Sequence, residues 1–291
     1  LGLEWTVPSL KHTRKRIASV RNTQQITKAM KMVSAAKLRH AQEAAENARP
    51  YGQRLAELLA SVSATVGEDI HPFLQPGADA PAEVIVITSD RGLCGGYNTN
   101  LIKTTEAFLR SEEGRNATVV TCGRRGDDYF RKHHASSLRE RHVNRAGGFD
   151  LSLAREVAAK AAERFLSGTA GAVYLVYSQF RSAIAQSPVL VRLLPVEKAN
   201  RSAADIEYLY EPEPTALLRS LLARHIETKV YQAMLEATAS EHGARMTAMD
   251  SAARNASDMI DRLTLQMNRA RQASITTELM EIVGGAEALK G

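Results

Sequence analysis

The chain is expected to fold as an α/β domain inserted between two very long helices that pair as an antiparallel coiled coil. Three observations carry this expectation. The stretch from Pro214 to Leu289 has no proline between Thr215 and Val283, and Gly243 is its one glycine over that range. A second proline-poor stretch with helical periodicity stands near the front of the chain. Between the two, short apolar runs alternate with amphipathic segments.

The C-terminal helix is expected over 214–289. Ala, Leu, Glu, Arg, Met and Gln fill it, all good helix formers. At ~1.5 Å per residue, ~70 residues of helix reach ~105 Å, and a helix so long needs a partner along its length. Met246, Met249, Ala253, Ala256, Ile260, Leu263, Met267 and Ala270 recur at alternating steps of three and four. That is the seam of a left-handed coiled coil, narrower than the face of a helix in an ordinary bundle.

The N-terminal helix is expected over 8–64, with Ile17, Val20, Ile26, Met30, Val33 and Ala36 as its apolar positions. Pro50 predicts a bend and not an end, because Leu55, Leu58, Leu59 and Val62 resume the period. A linker rich in turn formers and prolines spans 65–82. EVIVITSD at 83–90 reads as a strand covered on both faces. Further strands are expected at 117–121, 172–179 and 188–196, and helices at 99–111, 125–132 and 151–166. This alternation predicts a Rossmann-like α/β domain over 83–198 with a largely parallel sheet, followed by a polar linker at 199–213.

Composition narrows the function. Two cysteines, Cys94 and Cys122, make no disulfide framework and fit a reducing compartment. No apolar run approaches the ~20 residues of a membrane span, and the opening LGLEWTVPSLK predicts no secretory signal. The net charge of +6 is local: from Pro8 to Arg49 ten Lys or Arg face two acids, Glu43 and Glu46. The basic arm therefore expects a partly acidic partner, nucleic acid or protein. No Phe, Trp or Tyr lies between Thr6 and Pro50 or between Gln232 and Gly291. Aromatic anchors dominate tight interfaces, so rods without them suit contact without locking, although coiled coils also simply disfavour aromatics.

A catalyst is not expected. SDRGLCGGYNTNL at 89–101 follows a strand and opens a helix, where phosphates often bind. It contains neither GxGxxG nor GxxxxGK[ST], so a structural turn is the better reading, with Gly92, Gly95 and Gly96 supplying unusual backbone angles. Cys94 at that helix start is a conceivable nucleophile, but no partner motif completes a catalytic set. His133 and His134 read as a surface pair and not as a metal site. The basic arm lacks the stacking aromatics of a nucleic-acid module. A nucleotide-binding enzyme with a coiled-coil arm and a coiled-coil or nucleic-acid scaffold remain as alternatives.

PSLKHTRKRIASVRNTQQITKAMKMVSAAKLRHAQ at the front, SDRGLCGGYN in the middle, and SEHGARMTAMDSAARNASDMI and NRARQASITTELMEIVGGAEAL at the end resemble the gamma subunit of bacterial F-type ATP synthases. The resemblance spans essentially the whole chain. Family members begin Met-Pro-Ser-Leu-Lys or similar, so Val7 is expected at a non-ATG start, with residues 1–6 upstream. The resemblance implies a non-catalytic rotor shaft without cofactors. It stands inside a ring of three alpha and three beta subunits, meets the epsilon subunit and the membrane c-ring, and lies on the cytoplasmic face of the plasma membrane. It also implies beta-subunit contacts at Arg271, Gln272, Thr276 and Glu278, at Lys28, Met30 and Lys31, and at Cys94. Met280 to Ala288 are implied at an apolar bearing. The cysteine-bearing regulatory insertion of chloroplast members has no counterpart here.

Overall fold

The computed structural model describes residues 10–66, 71–143, 149–197 and 213–288. The expected start at Val7 and most of the linker at 199–213 lie outside them. Two compact units are formed: Leu1–Val33 with Ala248–Gly291, and Ser34–Thr247. The boundary crosses the two long helices and does not follow the linkers.

Helix α1 runs Leu10–Val66 and helix α5 runs Pro214–Ala288. Pro50 sits inside α1 and the helix continues past it. In the first unit, Lys31 of α1 pairs with Asp250 of α5 at 2.5 Å, and Arg16 shares a groove with Asn255, Met259 and Leu263. In the second unit, Leu38 and Ala41 pack on Ala239, and Gly52 sits against Gln232. Within each unit, rising numbers in α1 meet falling numbers in α5, so the pairing is antiparallel.

The α1 stripe differs from the expected one. Thr13, Ile17, Thr27, Ser34, Leu38 and Ala41 are buried, with Val20, Gln24 and Met30 half-buried between them. Ile26, Val33 and Ala36, expected among the apolar positions of this helix, are exposed. Polar residues are tolerated in the stripe because they are satisfied locally: the Thr27 hydroxyl donates to the Thr23 and Gln24 carbonyls, both at 3.0 Å.

The α/β part contains β1 (Glu83–Ile87), α2 (Tyr97–Arg110), β2 (Thr118–Cys122), α3 (Arg124–His133), β3 (Leu138–His142), α4 (Leu151–Leu166), β4 (Val173–Phe180) and β5 (Gln186–Leu194). The sheet order is β3-β2-β1-β4-β5, parallel except for the antiparallel β4–β5 hairpin. β1 lies at the centre and all five of its residues are buried. β3 has no apolar run to mark it, because LRERH is a charged edge strand; charge is how edge strands avoid pairing with other chains.

Each sheet face has its own core. Val84, Val86, Val119 and Val176 meet Leu101 and Phe108 of α2 and Phe130 of α3. On the other face, Ile85, Ile87, Val120 and Leu175 meet α4 and the first half of α5, from Leu218 to Ala237. The first half of the C-terminal helix is therefore part of the α/β core, where Leu59 and Val62 of α1 join it.

Candidate functional site

In an open α/β sheet, ligands bind beyond the carboxyl ends of the strands, where the connections switch sides. Here α2 and α3 cover one face and α4 the other, which places that point between β1 and β4. The loop after β1 is tied to itself. The Ser89 hydroxyl donates to the Arg91 carbonyl at 2.6 Å, and the Asn98 amide donates to Ser89 Oγ at 2.8 Å and to Cys94 Sγ at 3.2 Å. The left-handed turns fall at Leu93 (φ 63°) and Gly95 (φ 59°), and not at Gly92 or Gly96 as expected. A Cβ at Gly92 would instead come within 2.8 Å of Arg125 Nη2.

The amides that would cradle a phosphate at the start of α3 are already used. The Arg124 N–H donates to Asp90 Oδ1 at 2.8 Å, that of Arg125 to the Ser89 carbonyl at 3.0 Å and that of Gly126 to Thr88 Oγ1 at 2.9 Å. Helix α5 then takes the place of a ligand at the strand ends. Tyr97 Oη donates to the Ala237 carbonyl at 3.0 Å, and Ser240 Oγ donates to the Ser178 carbonyl at 2.8 Å, at the end of β4.

Arg245 completes this contact. Its Nε and Nη2 donate to the Gly92 carbonyl at 3.3 and 3.2 Å, and Nη2 reaches the Arg91 carbonyl at 3.4 Å. Glu241, one turn earlier on the same helix, holds Nη2 at 2.7 Å. Burial pushes the Glu241 carboxyl up, with Arg245 opposing. Burial also pushes His242 down to about 4, helped by the nearby Arg245 and Lys37 charges. The Tyr97 hydroxyl is pushed well up by burial, which keeps it a neutral donor. These groups hold a helix against a loop, and they present neither a nucleophile beside a base nor an open phosphate cradle.

The residues expected to face partners lie as follows. Arg271, Gln272, Thr276 and Glu278 are all exposed on α5. Thr276 Oγ1 donates to the Gln272 carbonyl at 3.0 Å, and Glu278 accepts from Ser274 Oγ at 3.1 Å. Lys28 is exposed, Met30 is half-buried, and Lys31 is engaged with Asp250. In the seam, Met249, Ala253, Ala256 and Leu263 are buried, while Met246, Ile260, Met267 and Ala270 are half-buried. The Cys94 thiol is buried, turned in toward Asn98 and Ser89. The loop's exposed side chains are Arg91 and Leu93.

A family model described as ATP synthase matches residues 9–289. A curated ATP synthase gamma chain from an Anaeromyxobacter species is 51% identical, covering 98% of this chain and 100% of its own length. The chain belongs to the ATP synthase gamma-chain family. Another member, from Pelotomaculum thermopropionicum, is 48% identical over 98% of this chain. Among solved structures, the rotor of the Euglena gracilis mitochondrial ATP synthase matches with a TM-score of 0.67 at 20% identity, covering 92% of this chain and 99% of that one. The central stalk of the Tetrahymena thermophila enzyme matches with a TM-score of 0.57 at 24% identity, over 78% and 99%. These two likenesses establish the fold the family shares.

Two features of this family member have no clear signature in the sequence. One is the contact made by Tyr97, Ser240, Glu241 and Arg245; the available signal was Glu241 and Arg245 at i,i+4 on a stripe otherwise filled by small residues. The other is the cluster Glu140, His142 and Glu156, the one group of metal-ligand spacing among the described residues. The Lys160 ammonium pairs with Glu140 and lies 3.1 Å from Glu156, and Arg164 reaches Glu140 at 3.0 Å. The protein's own cations thus fill the cation position. His134, read as half of a surface pair, lies 3.5 Å from Glu106. No helix among the described residues is long and apolar enough to cross a membrane.

Proposed function

We propose that the chain is the central rotor shaft of a proton-translocating F-type ATP synthase, coupling proton-driven rotation to ATP synthesis and hydrolysis on the beta subunits. The observation that carries this reading is the replacement of a ligand by helix α5 at the strand ends, in a full-length member of the gamma-chain family. The α/β fold here grips a shaft at its strand ends.

In this reading α1 and α5 stand within a ring of three alpha and three beta subunits. The α/β part sits on the membrane c-ring beside epsilon, at the cytoplasmic face, and attaches peripherally. Arg271, Gln272, Thr276 and Glu278 meet a loop of one beta subunit. Lys28, Met30, Lys31 and the loop carrying Cys94 pass the acidic levers of beta. The exposed Leu279, Met280, Ile282 and Val283 suit an apolar bearing at the tip.

The test is co-purification and turnover. The chain should be recovered in stoichiometric complex with a hexameric ATPase, and alone it should neither hydrolyse ATP nor bind it tightly. Hydrolysis by the isolated chain would overturn the rotor reading, and recovery with nucleic acid in place of the ring would support a scaffold.

A further inference from the structure

A groove between α1 and α5, within the second unit, gathers donors that no other side chain uses. Arg49 and Gln53 line it from α1, and Lys229 and Gln232 line it from α5. The members of each pair are four and three positions apart, so each pair shares one helix face. Neither cation is in salt-bridge contact with a carboxylate among the described residues, and neither amide makes a side-chain hydrogen bond there. Arg and Lys can only donate, and each amide adds an NH₂. The groove offers about 270 Å³, just under the ~300 Å³ at which sites for drug-sized ligands begin. Such room suits an ion or a small metabolite.

Gly52 sets one of these donors in place. It lies inside α1, where glycine is otherwise unfavourable. A Cβ there would fall 2.0 Å from Gln232 Nε2, so the missing side chain is what lets that amide lie against α1. Glu236 is the one acid on the groove. The Phe180 N–H donates to its carboxyl, while Oε2 is buried with no hydrogen-bond partner among the described residues. Burial pushes this carboxyl up, opposed by the Phe180 N–H and then by Arg49 and Lys229, which disfavours its charged form. Two cations against one disfavoured anion leave the groove positive.

We propose that this groove binds a small oxyanion, of the class of inorganic phosphate or a phosphate monoester, held by Arg49, Gln53, Lys229 and Gln232. The anion bridges the two helices, accepting from a guanidinium fork on α1 and from an ammonium on α5. Donors arriving from two opposed helices suit a tetrahedral group, whose oxygens point both ways, better than a planar carboxylate.

The test titrates the purified chain with sodium phosphate at an ionic strength held constant with chloride, reading calorimetric heat and melting temperature. Phosphate should bind saturably and raise the melting temperature. Replacing both cations, Arg49→Ala with Lys229→Ala, removes two exposed side chains and should weaken binding by about tenfold or more. Gly52→Ala keeps every charge and favours the helix, but its Cβ displaces the Gln232 amide, so binding should fall several-fold. Arg54→Ala removes an exposed cation of the same helix outside the groove and should bind as the parent does. Glu236→Gln removes the one negative charge and should bind at least as tightly. Titration with glycerol phosphate separates the sources: tighter binding assigns a monoester, and equal or weaker binding assigns free phosphate. The absence of saturable heat in the parent would overturn the proposal, as would unchanged binding in the double variant or in Gly52→Ala. An equal loss in Arg54→Ala would reduce the effect to general charge and overturn it too. Weaker binding in Glu236→Gln would show that the groove reads a cation through that carboxylate, against an anion site. All of these readouts use the chain alone, so their failure leaves the rotor reading untouched.

Discussion

The two halves of α5 share one helix and similar composition, yet they are held very differently. From Leu218 to Ala237 the positions in the core are Leu218, Leu222, Ile226, Val230, Ala233, Met234 and Ala237, and they press on a sheet and on α4. From Met249 to Ala270 the helix buries one narrow stripe, mostly Ala and Met, with exposed residues on either side. A large aliphatic side chain fully buried contributes ~1.5–3 kcal/mol, and an alanine far less, so the first half carries most of the anchoring. The second half gains surface instead of stability. Its exposed Arg, Asn, Gln and Thr side chains remain available to neighbours. The difference lies in the partners, a broad sheet with α4 and the end of α1 in one case and a single helix in the other.

The largest effect is expected from placing a charge in each half. Ile226 is 1% exposed, so Ile226→Asp strands an unpaired carboxylate in the core and should cost more than ~3 kcal/mol. Ile260→Asp in the seam should cost ~1–3 kcal/mol, because that side chain is already partly open to water. Urea melts followed by helicity compare the two. Equal losses would show that the seam is as well anchored as the core and would break the contrast.

Acid should separate the halves next. Burial first, then Lys229, holds His225 down from 6.5 to about 4. Burial, then Arg245 and Lys37, does the same to His242. Both folded values lie below the unfolded one, so each histidine's contribution is present above pH 6.5 and is lost as pH falls through about 4. The loss is on the order of 1–3 kcal/mol for each group. No histidine occurs from Ala248 onward. Between pH 6.5 and 4, amide exchange should therefore quicken around His225 and His242 and not along Met249 to Ala270. His225→Gln should flatten the acid response of the first half; an unchanged response would show that other groups govern it.

The α1 stripe offers a smaller effect and shows where sequence reading stops. The α5 seam was legible because its apolar residues alternate by three and four against a polar background. The α1 stripe was not, because Ile26 and Val33 face outward while Thr13, Thr27 and Ser34 face in. An apolar count cannot reveal a hydroxyl satisfied within its own helix. The parallel strands were readable from continuous apolar runs, whereas β3 was hidden by its charges. The Arg245 contact depends on the strand ends meeting a helix more than a hundred positions away, which no local pattern encodes. Thr27→Val keeps the shape of the side chain and removes a hydroxyl that bonds only its own helix. It should therefore shift stability by less than ~1 kcal/mol. A larger loss in a urea melt would mean that the hydroxyl also serves the partner helix.

The smallest effect on the fold, and the sharpest test of what the second half is for, is expected at Arg271. Its side chain is exposed, and no hydrogen bond or ion pair to it is found among the described residues. Removing an unpaired surface charge leaves stability within ~0.5 kcal/mol, so Arg271→Ala should melt like the parent. Assembly should also survive, because the seam residues are untouched. The function should change nonetheless. A guanidinium can donate several hydrogen bonds in a fixed fork to carboxylates or carbonyls of a neighbouring loop, and Gln272 adds a neutral donor and acceptor beside it. A charge-assisted bond nets ~1.5–3 kcal/mol, enough to favour one angular position of a turning shaft and weak enough to release it. Arg271→Ala in the assembled complex should therefore slow ATP turnover or reduce proton pumping while complex yield stays normal. Unchanged rates and pumping would leave the exposed half of α5 without a role at this position. A lost complex with normal melting of the isolated chain would make Arg271 an assembly contact instead of a rotary one.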